Sequence, residues 1–322
     1  MNRKKKVLVV THDAGGTEII AAYVKKHRAM QEFRVYTNGP GATIFRRERI
    51  PFTRVKNGRA AIRRIVERNK DVDLALVALK GWMTNIEWTA REEAMRTGLR
   101  TAVYLEDWRK YRERFGYPEK GWEKNVPDEL WAGDPSAYKL ARRLFKKTRT
   151  FVRMVPNEYF KTVSLRVGKL RRSSRREEYL FLSSPIQEFE GVVTDIFEQL
   201  SKKRGSNLCI RLHPADKKSR YSSLVRKYRS RVTTRVSHTK DIAADFARAK
   251  VAFGTKSVAL AVAAHCHLPA FSIAPQSDAP LPGVVHVKNI AAAFRRVNRP
   301  LIRSVRSDRH LFRTAVSRKL RH

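Results

Sequence analysis

The chain is short of several things, and each shortage excludes a class. Only two cysteines stand in its 322 residues, Cys209 in a strand-like run and Cys266 in a helix-like one. A disulfide framework is not implied, and both read as small buried hydrophobes of a reducing cytoplasm. No apolar run approaches the ~20 residues of a membrane span. The start, MNRKKKVLVVTHDAGG, turns polar too soon for a signal peptide. The nucleotide fingerprints GxGxxG and GxxxxGK are missing, and no His/Cys set has zinc spacing. Acidic residues are also scarce: 30 against 69 lysines and arginines, a formal charge of +39. Such a field attracts polyanions, whether nucleic acid, anionic lipid or phosphorylated substrates. The arginines are scattered over every segment, and no aromatic-rich nucleic-acid module appears, which makes nucleic acid the weaker expectation.

What is there is alternation. Hydrophobic residues make up 42% of the chain, enough for ordinary folded cores. Apolar runs such as VLVVT (7–11), DLALVALKG (73–81) and RTAVYLED (100–107) alternate with helix-spaced stretches such as AAIRRIVERN (60–69) and PSAYKLARRLF (135–145). That rhythm predicts parallel sheets covered by helices on both faces. It breaks over 159–178, where basic residues and serines dominate, and restarts at EYLFLSSP. The expectation is an α/β protein of two Rossmann-like doubly wound domains with a cleft between them. The first spans 1–158, a basic linker 159–178, the second domain 179–300, and a basic tail 301–322.

Doubly wound sheets bind ligands outside the carboxyl ends of their strands, so the loops after strands are the candidates. THDAGGTE (11–18) offers Asp13, Gly15 and Gly16 as a substrate-facing turn, or as a tight turn whose glycines serve geometry alone. LKGWMTNIEW (79–88) puts Lys80 and Trp82 at a strand mouth, where an indole stacks on a sugar or base, or seals the domain edge. VYLEDWRKYRERF (103–115) closes on Glu106 and Asp107. Neighbouring strand residues face opposite ways, so one of the two aims into the cleft and takes an acceptor's proton. Asp107, nearer the loop, is favoured; the alternative is that both pair with Arg109, Arg112 and Arg114.

In NLCIRLHPAD (207–216), His213 can donate to a phosphate, Pro214 stiffens the turn, and Arg211 shares the strand face. Asp216 holds a neighbouring loop or orients a base; the plain alternative is a strand-end cap. In AFGTKSVALAVAA (252–264), Gly254, Thr255, Lys256 and Ser257 lead into a helix, which makes an anion site or a simple N-cap. These two loops are expected on neighbouring strands. No metal site is expected. DVD (71–73) lies at the wrong end of its strand, and the histidines of HCH (265–267) do not share a helix face. Ser183-Ser184 reads as an ordinary turn.

Together these loops resemble the GT-B glycosyltransferases, and within them bacterial surface-polysaccharide proteins related to the sialyltransferase and polysialyltransferase group. RLHPAD matches that group's HP motif with His213 and Pro214, and GTKSVAL is similar to its serine motif with Ser257 in the serine position. YLEDW is similar to its acidic motif, with Trp108 in place of glycine, and PDELWAGDPSAYKLA looks like the strand and helix that end the first domain. The resemblance implies metal-independent transfer of a sugar from a nucleotide-sugar donor to a glycan or lipid-linked acceptor, without a cofactor. His213 and the turn into Ser257 would stabilise the departing phosphate, and Asp107 or Glu106 would take the acceptor's proton. The basic surface would dock on the inner face of an anionic membrane or on a charged glycan. A sugar-nucleotide epimerase or hydrolase shares this fold and phosphate pocket and needs no acceptor. A non-catalytic polyanion binder is the third reading.

Overall fold

A computed structural model of the chain describes residues 3–79, 84–184, 190–213, 216–237, 239, 241–255, 257–273 and 280–298. Lys80, Trp82, Pro214, Lys256 and the tail 301–322 lie outside the described residues.

The first half runs β1 (Lys5–Thr11), α1 (Ala14–His27), β2 (Gln31–Thr37), α2 (Gly39–Arg47), β3 (Thr53–Arg54), α3 (Arg59–Arg68), β4 (Leu74–Ala78), α4 (Ile86–Arg96), β5 (Thr101–Leu105), β6 (Glu129–Ala132), α5 (Pro135–Leu144) and β7 (Phe151–Met154). Its seven strands form one parallel sheet in the order β3-β2-β1-β4-β5-β6-β7. Every residue of β4, β5 and β6 is buried. Helices cover both faces of the sheet, so the strands read as unbroken apolar runs. Helix α5 starts where the sequence marks it: Pro135 occupies the first turn, and Asp134 Oδ1 accepts from Ser136 N at 2.8 Å and Ala137 N at 3.0 Å. Helix α2 and strand β7 carry too little apolar periodicity to show in the sequence.

The second half runs α6 (Glu158–Leu170), β8 (Glu178–Leu182), α7 (Glu190–Ser201), β9 (Ser206–Arg211), α8 (Ser222–Tyr228), β10 (Val232–Val236), α9 (Ile242–Arg248), β11 (Ala249–Gly254), α10 (Val258–His265), β12 (Ala270–Ser272), β13 (Val285–His286) and α11 (Ile290–Asn298). The second parallel sheet has the order β10-β9-β8-β11-β12-β13. Strand order reverses between β1 and β4 in one sheet and between β8 and β11 in the other. These are the switch points at which such sheets receive ligands.

The stretch read as a basic linker holds α6. Its basic residues point outward, while Phe160, Val163 and Val167 form a narrow buried stripe at i, i+3 and i+7. Asn157 caps it, accepting from Phe160 N at 3.1 Å. The helix packs against α1 on one side and α9 and α10 on the other. One apolar cluster runs through it, from Trp108 and Ala132 of the first half to Leu180 and Leu260 of the second. No helix of the described residues is long and apolar enough to cross a membrane.

Candidate functional site

The first half of the site is built where β1 outruns β4. The last β1–β4 pair is Val10 with Val77, whereas β1 continues beside β2 to Thr11. The N–H groups of His12 and Asp13 therefore have no strand partner on that side. Glu87, from the first turn of α4 and 1% exposed, takes both: Oε1 accepts from His12 N at 2.6 Å and from Asp13 N at 3.1 Å. Its Oε2 is buried without a hydrogen-bond partner. Burial pushes the Glu87 carboxyl up to about 7; the two N–H bonds pull against this and the charge of Asp13 adds to it.

Asp13 stands at the N-cap of α1 but does not cap it with its side chain. Its Oδ1 meets His12 Nδ1 at 3.0 Å instead. Gly15 and Gly16 open the helix against Glu106. A Cβ on Gly16 would stand 2.1 Å from Glu106 Oε2 and 2.4 Å from Ala78 Cβ, so close approach, not backbone angle, requires glycine there. Gly39, at φ +53°, lets the α2 start sit on the His12 ring; a Cβ there would lie 2.5 Å from Nε2.

Strand β5 ends at Leu105, so the alternation that separates Glu106 from Asp107 does not extend to them. The favoured carboxylate, Asp107, is the one committed elsewhere. Arg114 Nη2 donates to its Oδ2 at 2.7 Å, and Arg109 Nη2 lies 3.7 Å away. Arg112 lies instead over the Tyr117 ring. Glu106 faces the glycine turn, with Oε2 buried and unpartnered. Burial raises its pKa well above the usual range. Asp107, Glu87 and Asp13 add to the shift, and Arg114 opposes it. The dipole of α1 favours the anion, but no N–H reaches Oε2, and burial among acids dominates.

In the second half, His213 follows β9. Ser183, at the end of β8, accepts from His213 N at 2.8 Å, and Asp216 N donates to the His213 carbonyl at 2.8 Å, closing the turn. Asp216 pins this loop, accepting from Lys217 N at 2.9 Å and Tyr221 OH at 2.6 Å. Burial alone would raise the Asp216 pKa, but Ser183, Tyr221 and Lys217 N hold it below its ordinary value. The His213 ring is exposed at the mouth, yet the protein around it disfavours its charged form, against the pull of Asp216 and Asp13. The charge of Asp13 is felt at His213, so the β1–α1 turn and the residue after β9 lie within electrostatic reach of each other.

Arg211 does not join them. Its Nη1 donates to Asp245 Oδ2 at 2.6 Å and to Thr239, in a buried cluster that also holds Arg235 and Ser237. The two anion loops are not on neighbouring strands either: β8 lies between β9 and β11, because the doubly wound order places the first strand of the unit centrally. Ser257 caps α10, accepting from Ala259 N at 3.2 Å, which is the plain reading of that serine. Gly254 packs closely, and a Cβ there would lie 3.0 Å from the Leu182 carbonyl and 3.3 Å from Leu260 Cδ1. Thr255 is buried with Oγ1 unpartnered. The site thus gathers Asp13, Gly15, Gly16 and Glu106, sets His213 within electrostatic reach of Asp13, and holds Thr255 and Ser257 beyond β8. Sequence reasoning missed His12, Glu87 and the anchoring role of Ser183. A cavity of about 260 Å³ between α1, α2 and α6 lies apart from this cluster, and its ion pairs, such as Arg47 with Glu18 at 2.5 Å, satisfy each other.

No protein-family model matches the sequence, and no curated protein does. The fold does have solved relatives. The UDP-GlcNAc 2-epimerase of Neisseria meningitidis, solved bound to UDP-GlcNAc, superposes with a TM-score of 0.69 at 13% identity, covering 90% of this chain and 91% of that one. The UDP-GlcNAc 2-epimerase of Methanocaldococcus jannaschii gives 0.65 at 12%, covering 91% of each. MurG of Acinetobacter baumannii gives 0.53 at 10%, covering 84% and 79%. The architecture is the GT-B-like one. This likeness does not carry the narrower resemblance to sialyltransferase-type proteins.

Proposed function

We propose that the protein binds a nucleotide sugar between its two sheets and alters the sugar itself, by an epimerase- or hydrolase-type reaction without a second acceptor. The observation that carries this reading is Glu106, a half-buried carboxyl with one oxygen sealed from water and a raised pKa, set beyond the carboxyl end of β5 against the glycine turn that follows β1. A base that serves an acceptor hydroxyl must stay ionised and open. A carboxyl held near its neutral form is suited instead to giving and retaking a proton. Removing a proton from the ring carbon beside the anomeric centre leaves an electron pair that departure of the nucleotide's phosphate accepts, and inversion is completed when a proton returns to the opposite face as the phosphate adds back, which calls for groups on opposite walls. Glu106 and His213 are the pair assigned here, with Asp13 near enough to act electrostatically on both. The fold relatives support the nucleotide half of this reading, and UDP-GlcNAc is the first compound to try. The reaction is redox-neutral and calls for no cofactor.

The test is to incubate the full chain with UDP-GlcNAc in D₂O and follow the sugar by NMR. Deuterium entering a ring carbon, or release of UDP, is expected for the wild type and is lowered ~10²-fold or more in Glu106→Gln and His213→Ala. A parallel thermal-shift panel of CMP, UDP, GDP and CDP reports which nucleotide binds. Absence of both exchange and any nucleotide-induced stabilisation sinks the reading. Transfer of the sugar only when a glycan acceptor is added would restore the glycosyltransferase.

A further inference from the structure

We infer that Glu87 is the positioning residue of this site: it holds the β1–α1 turn by His12 and Asp13 and sets the charge beside that turn which an anionic nucleotide ligand senses. The inference rests on the nucleotide-sugar reading for its ligand, but its geometry stands alone. Glu87 reaches across 74–75 residues of chain to bind two successive N–H groups at the switch point of the first sheet. Those bonds fix where the Asp13 carboxylate and the glycine-lined start of α1 stand, and Glu106 packs on that start.

A glutamine at this position would offer the same oxygen to the turn. What distinguishes glutamate is its second oxygen. Glu87 Oε2 is sealed from water with no donor, and so is Glu106 Oε2. A sealed carboxylate oxygen without a partner is costly, and a proton lowers that cost by removing the charge. The neighbourhood reinforces this. The turn presents Asp13 and His12; the segment after β5 presents Glu106 and Asp107, whose charge Arg114 and Arg109 meet. Within α4, Arg91 lies one turn on, stacked 4.1 Å from the Trp88 ring, and Glu92 faces outward to Arg59 of α3. No cation among these lies against Glu87 Oε2. Losing the proton therefore adds uncompensated negative charge beside the turn, and affinity for a ligand that is itself anionic falls.

The test compares wild type, Glu87→Gln and Glu87→Leu as full chains, with UDP as the probe in titration calorimetry and thermal unfolding followed across the same pH range. Between about pH 6.5 and about pH 8.5 the wild type is expected to lose about fivefold in UDP affinity, and Glu87→Gln less than about twofold. The wild-type melting temperature is expected to fall with rising pH between the ordinary glutamate pKa and about 7, a slope that Glu87→Gln removes. Glu87→Leu, which cannot accept from the turn, loses UDP binding at every pH; if it does not fold, Glu87→Gln carries the test. UDP binding with the same pH dependence in wild type and Glu87→Gln overturns the inference alone. UDP binding to neither overturns the nucleotide reading as well, and the melting slope then still reports whether Glu87 holds the proton.

Discussion

At the scale of single residues, buried charge in this protein comes in two opposite conditions. Asp245, 1% exposed, is fully supplied, accepting from Arg211 at 2.6 Å, Arg235 at 3.0 Å and Ser237 Oγ at 2.6 Å. Burial alone would raise its pKa, but these donors hold it below the ordinary carboxylate value. Its contribution to stability is therefore complete above that ordinary value and is lost as pH falls through the lowered one. Asp245→Asn leaves Arg211 without its counter-charge, while Arg235 keeps Glu178 at 2.7 Å, and is expected to cost ~1.5–3 kcal/mol in chemical denaturation at neutral pH. A loss below about 1 kcal/mol would show that the cluster is not a true charge network. Glu87 and Glu106 are in the reverse condition, each with one oxygen that nothing supplies. The sequence distinguished neither kind. Glu87 begins a helix, where an acidic residue is ordinary, and Glu106 differs from Asp107 only through where β5 stops. Asp13, Gly15, Gly16 and His213 were legible because a strand running into glycine, or into His-Pro, marks a turn whatever the tertiary structure.

At the scale of elements, strands and helices with full apolar faces showed in the sequence, while those with narrow ones did not. β1, β4, β5 and β8 to β11 are each long enough and apolar enough to read directly. α6 was hidden because three buried side chains in thirteen residues look like a basic linker. Its weight in the fold rests on Phe160, whose ring meets Trp108 at 6.5 Å and His265 at 5.6 Å. Phe160→Ala is expected to cost ~3–5 kcal/mol. Scanning calorimetry checks whether that loss moves the melting of both halves or of one only; if one half melts unchanged, α6 is not shared between them. The order of strands was likewise beyond the sequence, which is why His213 and Ser257 were expected side by side when β8 separates them. Neither a strand's lateral position nor its neighbour is encoded in its own periodicity.

At the scale of the whole molecule, the formal charge of +39 is the property most visible in composition and least informative about the cleft. The site itself is acidic, with Asp13, Glu87, Glu106 and Asp107 gathered in one place, so the basic excess lies elsewhere. Binding to heparin or duplex DNA is expected to be sequence-independent and to fall steeply and linearly on a log–log plot as salt rises, unchanged by Glu106→Gln. An affinity that resists salt, or that a cleft variant abolishes, would tie the charge to the site instead. Helix α6 carries one last consequence. Among the described residues this rib is planted in both cores, so the lobes are coupled through packed surfaces. Any narrowing of the groove around a ligand must come as a slide of α1, α9 and α10 along that rib, a shear of packed surfaces whose travel is short.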